Sequence, residues 1–514
     1  MDNYSKKDMG CVRVPAALCD RTVITELGAD FSLPDYQPEM KRLLRVRATV
    51  SPPDKYIGVG NAEFSGNVDY CILYAGNDGA MYCANQTGEY RFSVPVEMGA
   101  DFELGDGLIC DVESVPDMTG GRVIAPRRLS LKCRLRSRVR LYGTRLIEEK
   151  LIGLQEENPE RLRGSAECAQ IFAGTGEAMQ LADEIVCDTQ ADHLRVICAE
   201  GQVFVSETSA GSGCVNCRGE VALKLLCCRD GSQELPYLQT RRIPFSGSVP
   251  VDGVEVNCDC QASGVCSDPV VTVEDGRILC EVSVRLSARA QRNIAVAYTK
   301  DLYSTRMASE SKQETIVLPT ALKCVSGNFS LGYTLPLEEA GIRNDQTVVD
   351  LSLIPTSLTL ESENGKYVLN GRCRATAILC GESDISVQDF ELPFRYETEG
   401  ASGEVTDYDV CVTPISCRAR MDGERIGVDA ELAVSIATRG QSEVELLREA
   451  TFCELPASRG ASYTICYPAP DDTLWSVAKR YHRAVSDITS ANPIAGSPVA
   501  DAPDSLDGIH YLLV

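Results

Sequence analysis

A chain of 514 residues exceeds what one hydrophobic core supports and fits roughly three to four domains. Its 44% apolar and 24% charged content is that of an ordinary globular protein, so disorder is not indicated. A formal net charge of −24 repels both a phosphate backbone and an anionic bilayer, which excludes a general nucleic-acid binder and a membrane-surface protein.

The start, Met1 to Asp8, is polar and has no apolar stretch behind it. No run approaches the roughly 20 apolar residues needed to span a bilayer, so a soluble cytosolic protein is expected. The 24 cysteines fall below the share of a disulfide scaffold. Several of them, including Cys71, Cys133, Cys280 and Cys373, sit where a strand takes a small apolar residue. Reduced thiols are expected on both counts.

Residues 1–45 read as a lead-in. Two prolines keep Phe31 to Pro38 extended or turned, and Glu39 to Leu44 is predicted as a short helical turn before a strand Arg45 to Val50. The stretch Gly66-Asn-Val-Asp-Tyr-Cys-Ile-Leu-Tyr74 then opens a pattern that recurs. Its second copy is Gly219-Glu-Val-Ala-Leu-Lys-Leu-Leu-Cys227 and its third is Gly371-Arg-Cys-Arg-Ala-Thr-Ala-Ile-Leu379. The opening glycines lie 153 and 152 residues apart. In each copy a glycine opens an apolar-rich strand that leads through a polar turn to a phenylalanine: Phe92, Phe245 and Phe394. Each copy closes on a glycine-containing turn and a long alternating strand, at Gly121, at Asp275-Gly276 and at Asp422-Gly423. A period this long marks a whole domain present three times rather than a solenoid.

The predicted units are repeat 1 at 46–165, repeat 2 with its connector at 166–325, and repeat 3 at 326–456. In repeat 1, Lys132, Arg134, Arg136, Arg138 and Arg140 alternate with smaller residues and share one face of a strand. A solvated, aggregation-resistant face is expected, the alternative being a docking strip for an acidic partner or an acidic face of the same chain. Thr144 to Gln155 is predicted as a short amphipathic helix and Gly164 to Gly176 as a looser connector. Cys214 and Cys217 form a Cys-x-x-Cys pair, but Cys258, Cys260 and Cys266 downstream lack the spacing of a second zinc pair. No metal or cofactor is expected. Phosphate-binding loops, nucleophile elbows and His-Glu-x-x-His motifs are missing, and His193, His482 and His510 have no acid/base partner at a defined spacing. No catalytic residue is assigned, and a non-enzymatic protein is expected.

A linker at 457–461 precedes a different module at 462–514. Tyr463 to Tyr467 reads as a strand, and Asp472 as the cap of a helix carrying Leu474, Val477, Ala478 and Tyr481 on one face. Ser486 to Pro493 reads as a second helix and Gly508 to Val514 as a closing strand. The fold class expected is mainly β: three tandem antiparallel sandwich- or barrel-like repeats plus a small α+β module of βααβ order.

The run Asp472-Thr-Leu-Trp-Ser-Val-Ala-Lys-Arg-Tyr481 with Ala491-Asn-Pro493 resembles a LysM domain. Asp471 stands where that family usually has glycine, and Asp507-Gly508 stands where it has Pro-Gly. The resemblance implies a shallow groove for N-acetylglucosamine-containing glycans, formed by Asp472, Thr473 and Leu474 from one loop and Asn492, Pro493 and Ile494 from another. It implies a module core of Trp475, Val477, Ala478 and Tyr481. The tripled unit, with Leu33-Pro-Asp-Tyr-Gln-Pro38 and Leu392-Pro-Phe394, looks like the SPOCS domain of endospore-forming Firmicutes. Together the two resemblances imply a scaffold of spore-coat morphogenesis in the mother-cell cytosol, at the forespore surface. Its partners would be the basement-layer ATPase of the coat (SpoIVA-like) and other coat proteins. The rival expectation is a peptidoglycan-binding protein anchored through the LysM-like module.

Overall fold

The computed structural model describes residues 11–514 except 59, 98, 100, 104–107, 155–158, 187–193, 230–234, 275, 382–383, 456–463, 493–505 and 507–508. It is mainly β, with two short helices among the described residues. Repeat 1 contains β1 (Cys11–Ser32), β2 (Met40–Val50), β3 (Asp54–Ile57), β4 (Asn61–Gly76), β5 (Met81–Pro95), β6 (Phe102–Glu103), β7 (Ile109–Ala125) and β8 (Arg128–Glu148). A short β9 (Lys150–Ile152) follows. Repeat 2 holds β10 (Glu160–Thr175), β11 (Met179–Val186), β12 (Leu194–Ala210), β13 (Cys214–Arg229), β14 (Tyr237–Pro250), β15 (Asp259–Cys266), β16 (Val270–Glu274) and β17 (Arg277–Tyr303). Repeat 3 holds β18 (Met307–Pro336), β19 (Thr347–Glu363), β20 (Lys366–Cys380), β21 (Ile385–Glu399), β22 (Asp407–Asp422) and β23 (Arg425–Glu454). The last module is β24 (Ile465–Cys466), α1 (Leu474–Tyr481), α2 (Val485–Ala491) and β25 (Leu512–Leu513).

One topology serves all three repeats. A meander (β2-β4-β5, β12-β13-β14 or β19-β20-β21) forms one sheet, and the first strand of the unit joins its last hairpin to form the other. Each pair of sheets encloses its own apolar core. Repeat 1 therefore begins one strand earlier than the sequence suggests, while the expected starts of repeats 2 and 3 fall inside β10 and β18. β1, expected as a lead-in, pairs with β8 from Cys11 to Ser32. The predicted connector at Gly164–Gly176 is largely β10, paired with β17. No local pattern reveals a partner strand more than 100 residues away. Two helical expectations fail for the same reason. Met40 to Leu44 continues β2, and the run after Thr144 extends β8 to Glu148, with β9 adding to β23 in parallel. The linker expected at 457–461 lies outside the described residues.

The repeat glycines have a steric cause. Gly219 lies opposite Phe245 and Gly371 opposite Phe394 across the meander. A Cβ on Gly371 would come within 2.5 Å of the Phe394 ring, and one on Gly219 within 2.1 Å of the Phe204 carbonyl oxygen. In repeat 1 the ring over Gly66 belongs to Tyr90, not to the expected Phe92, which stacks on Phe64 at 4.9 Å. The closing hairpins also differ. Gly276 and Gly423 turn with positive φ as expected, whereas the first repeat turns between Ala125 and Arg128, with Gly121 inside β7.

The three repeats share two further cores and so surround a pseudo-threefold axis. Middle strands β4, β13 and β20 are buried on both faces. Ile72, Leu225 and Ala377 point into their own repeats, while Leu73, Leu226 and Ile378 point into a common cluster. That double burial explains why these strands are continuous apolar runs instead of alternating ones. A bulge at the same register in β2, β12 and β19 turns Leu44, Ile197 and Val349 into the same cluster. At the far end Ile147, Val296 and Val444 meet in a second shared cluster. Their strand partners Val12, Ala166 and Ile316 join them.

Candidate functional site

The C-terminal module is held together by residues that resemblance had placed in a groove. Thr473, not Asp472, caps α1: its hydroxyl accepts from the Ser476 N–H at 3.1 Å, and the Ser476 hydroxyl accepts from the Thr473 N–H at 3.0 Å. Asp472 is buried and accepts from the Ala469 N–H at 2.9 Å and from Arg480 at 3.1 Å. Leu474 is fully buried beside Val477 and Ala478 in the module core. Asn492 is buried and donates to the Ile488 and Leu513 carbonyls, both at 2.8 Å, while its own oxygen accepts from the Leu513 N–H. It thereby ties α2 to β25. Pro493 and Ile494 lie outside the described residues.

The same module is clamped to the body. Trp475 and Tyr481 are partly buried, and the Trp475 ring packs edge-on against Tyr303 at the end of β17, centroids 4.8 Å apart. Its indole N–H donates to Asp301 at 3.0 Å. Lys479 reaches both Asp301 oxygens at 2.7 Å, and Ser311 donates to the same carboxylate at 2.8 Å. Burial raises the Asp301 pKa, and hydrogen bonds from Lys479, Trp475 and Ser311 more than reverse that, so the carboxylate stays ionised. The Tyr303 hydroxyl donates to the Arg483 carbonyl at 2.7 Å. His482, left-handed at the end of α1, brings Nδ1 to 3.2 Å from the Ser304 oxygen. His510 is exposed, and His193 lies outside the described residues. Strand alternation leaves the opposite face of the module outward: Cys466 and Leu512 are buried, while Ile465, Tyr467 and Tyr511 are 52%, 76% and 57% exposed.

The body's charged residues converge on the axis. Arg45 of repeat 1 pairs with Asp350 of repeat 3 at 2.8 Å and with Glu200 of repeat 2. Lys224 of repeat 2 pairs with Asp350. Burial pushes the Asp350 pKa up, but Lys224 and Arg45 outweigh it and hold the group down to about 2. Arg47 pairs with Asp268 at 2.5 Å, and there burial prevails, pushing Asp268 up to about 6. A second layer joins Arg140 to Asp111 and Asp409, both at 2.6 Å, Arg289 to Asp111, and Arg439 to Asp409. The expected cationic strip thus splits. Lys132 and Arg136 are exposed, Arg134 pairs within its own sheet with Asp117, and Arg138 and Arg140 dock on the acidic Asp407 and Asp409 of repeat 3. A cavity of about 1080 Å³, lined by β2 and β7 and their counterparts in the other repeats, opens beside Arg45, Lys224 and Asp350.

No disulfide joins two of the described cysteines, and most of them are buried. Cys214 and Cys217, three apart on β13, fall on opposite faces of the strand, with Cys217 inside the repeat-2 core, so the pair does not converge. Three others do converge. The Cys71 sulfur is 3.4 Å from that of Cys83 and 3.4 Å from that of Cys198. Nothing in the sequence brings Cys198 to this pair, since the contact spans 127 residues and two repeats. Thiol hydrogen bonds from Cys198 and Cys83, helped by Arg47 and Arg45, lower the Cys71 pKa against the effect of burial. Among the described residues no helix is long and apolar enough to cross a membrane. No family model matches the chain, and no curated protein or solved structure matches it either.

Proposed function

We propose that the protein is a non-enzymatic scaffold of endospore-coat assembly, in which a rigid three-repeat body presents a LysM-like module as a docking surface for a coat protein. The resemblance of the tripled unit to SPOCS domains and of the module to LysM supplies the setting: the mother-cell side of the forespore, with the basement-layer ATPase as first partner. The observation that carries the docking reading is the module's outward face. Ile465, Tyr467 and Tyr511 stand exposed there, while the other side of the module is fastened to Asp301 and Tyr303. Exposed tyrosines on a rigid support are typical anchors of protein interfaces. The glycan alternative is less well supported, because Asp472, Leu474 and Asn492 are engaged in the module's own fold.

The test is binding of the full chain to the purified ATPase and, in parallel, to chito-oligosaccharides. Changing Tyr467 and Tyr511 together to serine is expected to weaken ATPase binding by roughly tenfold or more, with no sugar binding at millimolar concentration. Undiminished ATPase binding by that variant, or micromolar sugar binding by the parent, would overturn the reading.

A further inference from the structure

The Cys71–Cys83–Cys198 cluster lies outside the module and outside the ion pairs that join the repeats. Its three sulfurs lie within 4.8 Å of one another, whereas a disulfide sets its sulfurs about 2.05 Å apart. A closed-shell metal bound to thiolates at about 2.3 Å holds its ligand sulfurs a little under 4 Å apart, close to what is seen here. Oxygen donors flank the group, with Asn85 Oδ1 at 3.7 Å from the Cys83 sulfur and Glu200 Oε1 at 4.0 Å from the Cys198 sulfur.

The pseudo-threefold relation separates Cys71 and Cys198 from the chain's space-filling cysteines, whereas Cys83 stands where the other repeats have Leu238 and Val387. Cys228 and Cys380 occupy the position that Ala75 fills in repeat 1, where a small apolar group suffices. Cys71 instead stands where repeats 2 and 3 have Lys224 and Thr376, and Cys198 where the others have Arg45 and Asp350. Arg45, Lys224 and Asp350 reach across the axis and pair there, while Thr376 bonds to Asp389 within its own sheet.

We infer that Cys71, Cys83 and Cys198 form a binding site for one thiophilic d10 metal ion, zinc(II) or copper(I), that staples repeat 1 to repeat 2. Three soft sulfur donors select such an ion over a hard, oxygen-seeking one. Loading displaces the thiol protons, one for each sulfur that enters as thiolate, so affinity rises with pH. Cys83 is partly exposed and gives the ion its route in.

The test uses the reduced full chain, titrated anaerobically with cobalt(II) as a spectroscopic probe and zinc(II) as competitor. One equivalent of cobalt is expected to raise a thiolate-to-metal charge-transfer band in the near ultraviolet, which zinc abolishes. Zinc is also expected to raise the melting temperature. Cys198→Ser should lose both responses, and Cys453→Ser, an exposed cysteine elsewhere, should keep them. Should Cys198→Ser lose its fold by circular dichroism, Cys83→Ser at the partly exposed corner stands in. No band in the parent, a band that survives either substitution, or a Cys71–Cys198 or Cys71–Cys83 disulfide in peptide maps of the isolated chain would overturn the site.

Discussion

At the scale of single residues, the repeat glycines are the clearest instance of sequence reporting geometry. Their spacing was visible because each must pass beneath an aromatic ring or a carbonyl, and only hydrogen fits. Gly219→Ala is expected to cost about 1–3 kcal/mol in denaturant unfolding, because the Phe204 carbonyl belongs to a paired strand and cannot swing aside. Gly120→Ala, with no atom within 4 Å of the new Cβ, should be neutral or mildly stabilising. Equal effects at the two sites would refute the steric account. The axial pairs are the opposite case. Arg45 and Asp350 lie 305 residues apart, and each reads locally as one more charge on an alternating strand.

At the scale of elements, what could be read depended on how local the stabilising contact is. Hairpins at Gly276 and Gly423 and the two helices of the module declare themselves through turns and apolar spacing within ten or so residues. Strands β1 and β10 do not, since their partners are the last strands of their units. The apolar residues after Thr144 mimic a helix face, yet Ile147 is needed as one of three equivalent contacts at the far end of the axis, and tertiary packing overrides the local period. The module's attachment is testable through Trp475, the single tryptophan of the chain. Asp301→Ala removes the acceptor of its indole N–H and of Lys479, a loss of about 1.5–3 kcal/mol for charged hydrogen bonds. A red-shifted and more easily quenched emission is the expected result. An unchanged spectrum would mean that the module is held by other contacts.

At the scale of the molecule, the axial charges set the response to acid. Asp350 has its pKa lowered in the fold, so the stability it contributes is present above its unfolded value near 4 and is lost as pH falls through about 2. Asp111 and Asp409 shift in the same direction. Asp268 is raised to about 6, so it has the opposite sign and stability grows as pH falls from about 6 toward 4. A melting-temperature maximum between about pH 4 and 6 is therefore expected, with a steep decline below it. Asp350→Asn should lower stability at neutral pH by about 3–5 kcal/mol, because Arg45 and Lys224 lose a buried partner, and should flatten the acid limb. A pH profile unaltered by that change would place the acid-sensitive groups elsewhere.

The bulged strands at the axis also decide who may stand next to whom. Equivalent positions there carry an arginine in repeat 1, a cysteine in repeat 2 and an aspartate in repeat 3. A ring assembled from three first repeats would set Arg45 against its own kind, and a ring of three third repeats would do the same with Asp350. The mixed ring satisfies its charges, and like-charge juxtaposition at a buried contact is heavily disfavoured. Two neighbouring copies are thereby penalised for exchanging a first repeat for a third. Such a lock would keep each molecule a discrete tile instead of letting crowded copies fuse into a tangle.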